Sequence, residues 1–150
     1  YRIAAAGTVP VTMGGDGAVT LPQLRALHRL YEGLCVLHFD AHTDTYEGAG
    51  DDSYNNATTF TRAAEEGIVD VAHSIHVGCR GPIDIERYGT KALSESVLRA
   101  LAGLNIVAID VNTVSPPHDV NGQTAFLAAQ VMLEAIALVA RGRRNHPVGT

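Results

Sequence analysis

The run His38-Phe39-Asp40-Ala41-His42-Thr43-Asp44 closes an apolar stretch with an Asp-x-His-x-Asp pattern. Alternation at a strand end aims Asp40, His42 and Asp44 to one side. Two carboxylates and an imidazole in one crevice repel or desolvate one another unless a cation joins them. This mix of oxygen and nitrogen donors suits Mn²⁺ or another borderline divalent ion. A carboxylate that bridges two such ions can also position a water for attack. From the residues alone, a polar loop whose side chains cap the next helix is an equal alternative.

Other polar clusters carry weaker chemistry. Gly14-Gly15-Asp16-Gly17 follows an apolar run and precedes a helical one, yet matches neither dinucleotide nor P-loop spacing, and Asp16 would repel a phosphate. A tight turn is the expectation there. In the stretch from Asn112 to Asp119, Pro116 and Pro117 stiffen a loop, and the neighbours His118 and Asp119 read as turn and capping residues rather than a catalytic pair. His28, His73, His76 and His146 have no partner that spacing identifies and are read as surface or core residues.

The elements that must position these residues follow from periodicity. Apolar runs at 9–13, 34–39, 74–77 and 106–109 predict four strands. Leu24, Leu27, His28 and Tyr31 at helical spacing predict a helix over 21–31. Residues 59–66 predict another, Ser94 with Val97, Leu98 and Leu101 begins a third, and 123–140 forms the last. Strands alternating with helices pack as a parallel sheet covered on both faces, with ligands outside the carboxyl ends of the strands. Gly14-Gly15-Asp16, Asp40, Arg80 and Asp110 fall at those ends. One domain over residues 1–150 is expected, with a fraying tail from Arg141 to Thr150.

Composition limits the function classes. With 11 Lys+Arg against 16 Asp+Glu, the net charge of −5 leaves no polycationic face for nucleic acid or anionic lipid. At 46% hydrophobic and 18% charged residues, the chain can bury on the order of 70% of its unfolded surface. Aromatics are 5% with no Trp, which favours an α/β protein over an aromatic-rich sandwich. Cys35 and Cys79 lack metal-ribbon spacing and are expected to be reduced, as in the cytoplasm. Residues 1–7 show no signal pattern. The apolar run at 123–140 is long enough to span a membrane, but Gln123, Thr124, Gln130 and Glu134 interrupt it. A helix buried in the domain or at a subunit contact is expected, with no membrane partner.

Four motifs, taken in order, resemble those of the ureohydrolase family, which includes arginase and agmatinase. VTMGGDGAVT at 11–20 resembles its glycine-rich turn, and DAHTD at 40–44 its metal motif. YNNATTFTRAAEEGIVD at 54–70 is similar to its His-Gly-Thr loop and following helix, and NIVAIDVNTVSPPHD at 105–119 to its late strand and proline-bearing loop. The resemblance implies a three-layer α-β-α fold with a parallel sheet, and hydrolysis of a guanidino or amidine C–N bond to urea and an amine. It also implies two Mn²⁺ ions, with Ni²⁺ an alternative. On that pattern Asp40 bridges both ions, His42 binds one and Asp44 the other.

The same resemblance marks departures. Gly17 stands where the family has a metal-binding His. Asn56 and Thr113, the substrate-contact positions, stand where relatives usually carry His and Glu, and no counterpart of the later Asp-x-Asp pair lies between Arg80 and Ser94. Asp84 and Glu86 have the spacing of that pair without its apolar context. The resemblance is thus to a partial or internally deleted member with an incomplete fold, holding one ion or none. An agmatinase-like enzyme, homo-oligomeric if intact, is the first expectation. A non-catalytic subunit acting through assembly is the second.

Overall fold

A computed structural model describes residues 1–48, 52–79, 101 and 103–145. The chain divides into two compact units, one of Tyr1 with Asp16–Ser94 and one of Arg2–Gly15 with Glu95–Thr150.

In the first unit, α2 (Thr20–His28) precedes strand β2 (Leu37–Phe39), and α3 (Thr59–Glu65) precedes β3 (Ile75–Val77). β2 and β3 pair in parallel, with Leu37 opposite Ile75, His38 opposite His76 and Phe39 opposite Val77. Backbone bonds extend the ladder at both ends, from Ile75 N–H to the Val36 carbonyl and from Asp40 N–H to that of Val77. Leu21 and Leu24 on α2 and Phe60 and Ala63 on α3 each lie three residues apart, so both helices bury one stripe, together with Ile68, in a shared core.

The short 3₁₀ turn Asn56–Thr58 that leads into α3 is capped: Asn55 accepts from Ala57 N–H, while Thr58 Oγ1 accepts from Asn55 N–H, a reciprocal capping box. At the far end of α3 Gly67 takes φ 67°, with N–H bonds from Gly67 to the Ala64 carbonyl and from Ile68 to that of Ala63. This left-handed glycine cap turns Ile68 back into the core. Arg25 and Glu66 form a two-pronged surface ion pair between α2 and the end of α3.

The second unit contains α1 (Arg2–Ala5), β1 (Val11–Met13), β4 (Ile109–Val111) and α4 (Gln123–Asn145). β1 and β4 are parallel, with Thr12 opposite Asp110. Ile136, Val139 and Arg143 of α4 line the same cleft as Val9, Val11 and Ile109. The Asp119 carboxylate accepts from Thr124 N–H (2.7 Å) and Ala125 N–H (3.0 Å), and these bonds hold its pKa below the usual carboxylate value.

Several expectations need correction. The fourth strand lies at 109–111 rather than 106–109, because pairing with Val11–Met13 sets its position. Asp110 is therefore inside a strand, accepting from Asn112 Nδ2 at 3.0 Å, and not beyond one. The tail is helical as far as Asn145, where Arg143 Nη2 donates to the Gly7 carbonyl at 2.6 Å. α4 is not buried within the chain: Phe126 is 74% and Leu133 67% exposed. The stretch Val120–Arg143 is long and apolar enough to cross a membrane by length and composition, with mean hydropathy 1.6, and Gln130 and Glu134 sit in its middle. Arg80, Asp84, Glu86, His146 and the helix expected from Ser94 lie outside the described residues, apart from Leu101.

Candidate metal centre

β2 supplies the first donor. His38 Nε2 lies 3.9 Å from Asp40 Oδ2 and 3.8 Å from Asp44 Oδ2, and one ligand atom from each of the three residues falls within 4.8 Å of the others. First-row divalent ions bind nitrogen and oxygen donors at about 2.0–2.2 Å, so two donors on one ion stand at most about 4.4 Å apart. The two histidine–carboxylate separations lie inside that limit, all three donors are within 4.8 Å of one another, and an imidazole with two carboxylates is a donor set such an ion takes.

Beyond Phe39 the chain stops alternating. Asp40 Oδ1 accepts from His42 N–H at 2.8 Å and meets His42 Nδ1 at 3.2 Å, closing a tight turn on its own carboxylate. The His42 side chain consequently points outward and is 65% exposed, although its ring stays beside Asp40. Cys79 Sγ lies over the His42 carbonyl, and both cysteines are free thiols.

Asp44 is fixed by its neighbours. Its backbone takes φ 52°, and its carbonyl accepts from Phe60 N–H at 3.0 Å. Tyr46 N–H donates to the Ala57 carbonyl, and Thr61 Oγ1 to that of Tyr46. The loop carrying Asp44 is thus laced to the start of α3. Nearby, the buried Thr59 donates to the Gly17 carbonyl at 3.2 Å, and Asp16 accepts from Ala18 N–H at 2.7 Å, so the glycine segment is a capped turn.

The crowding shows in the proton affinities. Burial, then the charge of Asp40, raises the Asp44 carboxyl from 3.8 to about 6. Burial, then His76, lowers His38 from 6.5 to about 4. Burial alone lowers His76. A carboxyl that resists ionisation, as Asp44 does beside a neutral imidazole, is relieved by a cation.

These two shifts oppose each other in stability. Asp44 binds its proton more tightly when folded, so its contribution falls as pH rises from about 4 to about 6. His38 refuses a proton that the unfolded chain accepts, so its contribution falls as pH drops from about 6.5 to about 4. Asp44→Asn removes the first effect and leaves the second. In protein treated with chelator, the variant is expected to gain about 1–2 kcal/mol at pH 7, after allowance for solvent screening at this partly open site. It should then lose stability more steeply on acidification. Urea unfolding from pH 4 to 7.5 measures this, and a difference from wild type that does not vary with pH would refute it.

Of the residues expected at the site, the structure brings Asp40 and Asp44 together, with His42 on the outer side of Asp40. Asn56 lies in the first unit, exposed at the start of the short 3₁₀ turn before α3. Thr113 lies in the second unit, exposed beyond β4 with φ 60°. His38 was missed. The signal was available, because it stands two residues before Asp40 and so shares its strand face.

The Arginase family model matches residues 1–93 and 89–138 of the chain. Guanidinopropionase of Pseudomonas aeruginosa is 32% identical over 204 residues, covering 93% of this chain and 64% of that protein. Agmatinase of Proteus mirabilis is 28% identical, covering 93% and 62%. The crystal structure of a hypothetical agmatinase from Burkholderia thailandensis superposes with a TM-score of 0.79 at 26% identity, covering 96% of this chain and 63% of that one. The chain thus spans just under two thirds of these relatives. The guanidinopropionase match runs over 204 residues against the 150 present here, so dozens of that relative's residues within the matched span face no residue of this chain. Parallel strand pairs with intervening helices agree with the arginase-like α/β architecture of the solved neighbour, in incomplete form. The chain belongs to the arginase family.

Proposed function

We propose that the chain is a metal-dependent amidinohydrolase that cleaves the guanidino C–N bond of a small linear compound to give urea and an amine. The observation that carries this is the convergence of His38, Asp40 and Asp44. The names of its relatives, guanidinopropionase and agmatinase, support the substrate class. His38, Asp40 and Asp44 would hold Mn²⁺ or Ni²⁺, with His42 as the further donor. A divalent ion held there would supply Lewis acidity and lower the pKa of a water beside the planar guanidinium carbon.

The chain's own residues do the rest. Asp44 would hold the ion as a carboxylate, so binding would weaken as the pH falls below about 6 and its proton competes. Asp40 Oδ1 restrains the His42 ring at Nδ1, and the ring has room to turn. Asn56 and Thr113 are assigned to substrate contact through an amide and a hydroxyl. Free thiols at Cys35 and Cys79 suit a reducing compartment such as the cytoplasm.

Urea release from agmatine, guanidinobutyrate and guanidinopropionate, with Mn²⁺ or Ni²⁺ added, is expected above a control treated with chelator. No turnover at high protein concentration would defeat this reading. A second reading, a non-catalytic subunit that assembles with intact relatives, is favoured by the many guanidinopropionase residues without counterpart here. Sizing the protein alone and mixed with an intact agmatinase tests it, and a monomer indifferent to that relative excludes it.

A further inference from the structure

Helix α4 presents two faces. Ile136, Val139 and Arg143 turn toward the β1–β4 pair, where they share a cleft with Val9, Val11 and Ile109. On a second face Phe126, Gln130, Leu133 and Ala137 follow one another at spacings of four, three and four, which is a single stripe of a helix. Leu127 flanks it. Leu127 is 59% exposed, and Phe126 and Leu133 more so, so among the described residues nothing covers this stripe. The second unit is short of apolar cover altogether: of its described residues only Ala4 is a buried hydrophobic. Units this short of core commonly gain stability from oligomerisation.

Gln130 points to what covers the stripe. Its amide stands in the middle of the apolar surface, and lipid or a uniformly apolar partner would leave its donors and acceptor desolvated and unpaired. A second copy, related by a two-fold axis through that position, brings the partner's Gln130 against it, and each amide then donates to the oxygen of the other. With the helices antiparallel, Leu127 meets the partner's Leu133 and Leu133 the partner's Leu127. Charges match as well. Arg141, eleven residues after Gln130, comes beside the partner's Asp119, which lies eleven before its own Gln130 at the start of α4. A parallel pair would instead set Arg141 against Arg141.

We propose that this face of α4 is an interface between two copies of the chain, which pair their α4 helices antiparallel about Gln130 with Phe126, Leu127 and Leu133 as the apolar anchors. The helix is about 35 Å long, and a single seam of that length lies at the low end of stable interfaces, so a dissociation constant of about 1–100 µM is expected. Pairing of α4 requires neither a metal ion nor catalysis.

Sedimentation equilibrium from about 1 to about 500 µM protein is expected to show monomer passing into dimer. Gln130→Glu and Gln130→Lys each set like charges across the axis, and each alone should dimerise at least about 10-fold more weakly. An equimolar mixture of the two should recover the wild-type affinity, because opposite charges then face each other, and a variant that had merely unfolded would not be rescued in this way. In a Cys35→Ser/Cys79→Ser background, Leu127→Cys mixed with Leu133→Cys should form a disulfide between the two variants more readily than either forms one with itself. Vesicles of phosphatidylcholine and phosphatidylglycerol should leave the protein in solution. Protein that stays monomeric throughout that range, a charge-swapped mixture no tighter than its components, disulfides formed chiefly within each variant, or vesicle binding that Leu133→Asp abolishes would each overturn the proposal.

Discussion

Asp40→Asn is expected to weaken Mn²⁺ binding by about 100-fold or more, the largest effect of any single exchange at the site. Asp40 is its hub: Oδ2 faces His38 Nε2, and Oδ1 takes the backbone N–H and meets the ring of His42. Asparagine keeps an oxygen for the His42 N–H, so the turn should persist and the loss should report the missing charge rather than a collapsed loop. A second signature should accompany it. The Asp40 charge helps to raise the Asp44 carboxyl, so the variant should move Asp44 back toward its ordinary value. Calorimetry with Mn²⁺ and a carboxyl titration by NMR measure the two. Affinity equal to wild type would remove Asp40 from the centre.

Phe60→Ala is expected to destabilise the first unit by about 3–5 kcal/mol, as the loss of a buried aromatic ring generally does. Phe60 shares a core with Leu21, Leu24, Ala63 and Ile68, and its ring also lies against His38 and His76. Its N–H bond to the Asp44 carbonyl is a backbone contact that the substitution retains. The damage therefore separates: the Asp44 loop stays anchored while the histidine pair loses its wall. Phe60→Leu should recover most of the stability but less of the metal affinity, because a branched aliphatic chain fills volume without restraining two rings. Parallel urea unfolding and Mn²⁺ titration of both variants decide it, and a fall of less than 1 kcal/mol for Phe60→Ala would contradict the assigned packing.

Legibility in the sequence followed the range of the interactions. Helix α2 was readable because Leu24 and Leu27 repeat on one face, although it ends at His28 and not at Tyr31, and α3 because its formers are contiguous. The motif from Asp40 to Asp44 was readable because its donors lie within five positions. What escaped depends on partners far along the chain. The start of β4 is decided by Val11, almost a hundred residues earlier, and not by the apolar run at 106–109. His76 seemed isolated because its partner is 38 positions away and adjacent only through strand register. The outward turn of His42 was hidden because alternation was carried past Phe39, where the Asp40 carboxylate bends the chain.

The left-handed backbone at Asp44 narrows what evolution can place there. That region is entered cheaply by glycine, asparagine and aspartate, and at a cost by glutamate or alanine. Aspartate is thus the acidic residue that suits both the turn and the short reach to its neighbours. Asparagine, one nucleotide change away, would suit the turn equally while discarding the charge. A lineage could lose its ion at this codon and keep its shape, so shape alone is a poor guide to whether such a descendant still works as an enzyme.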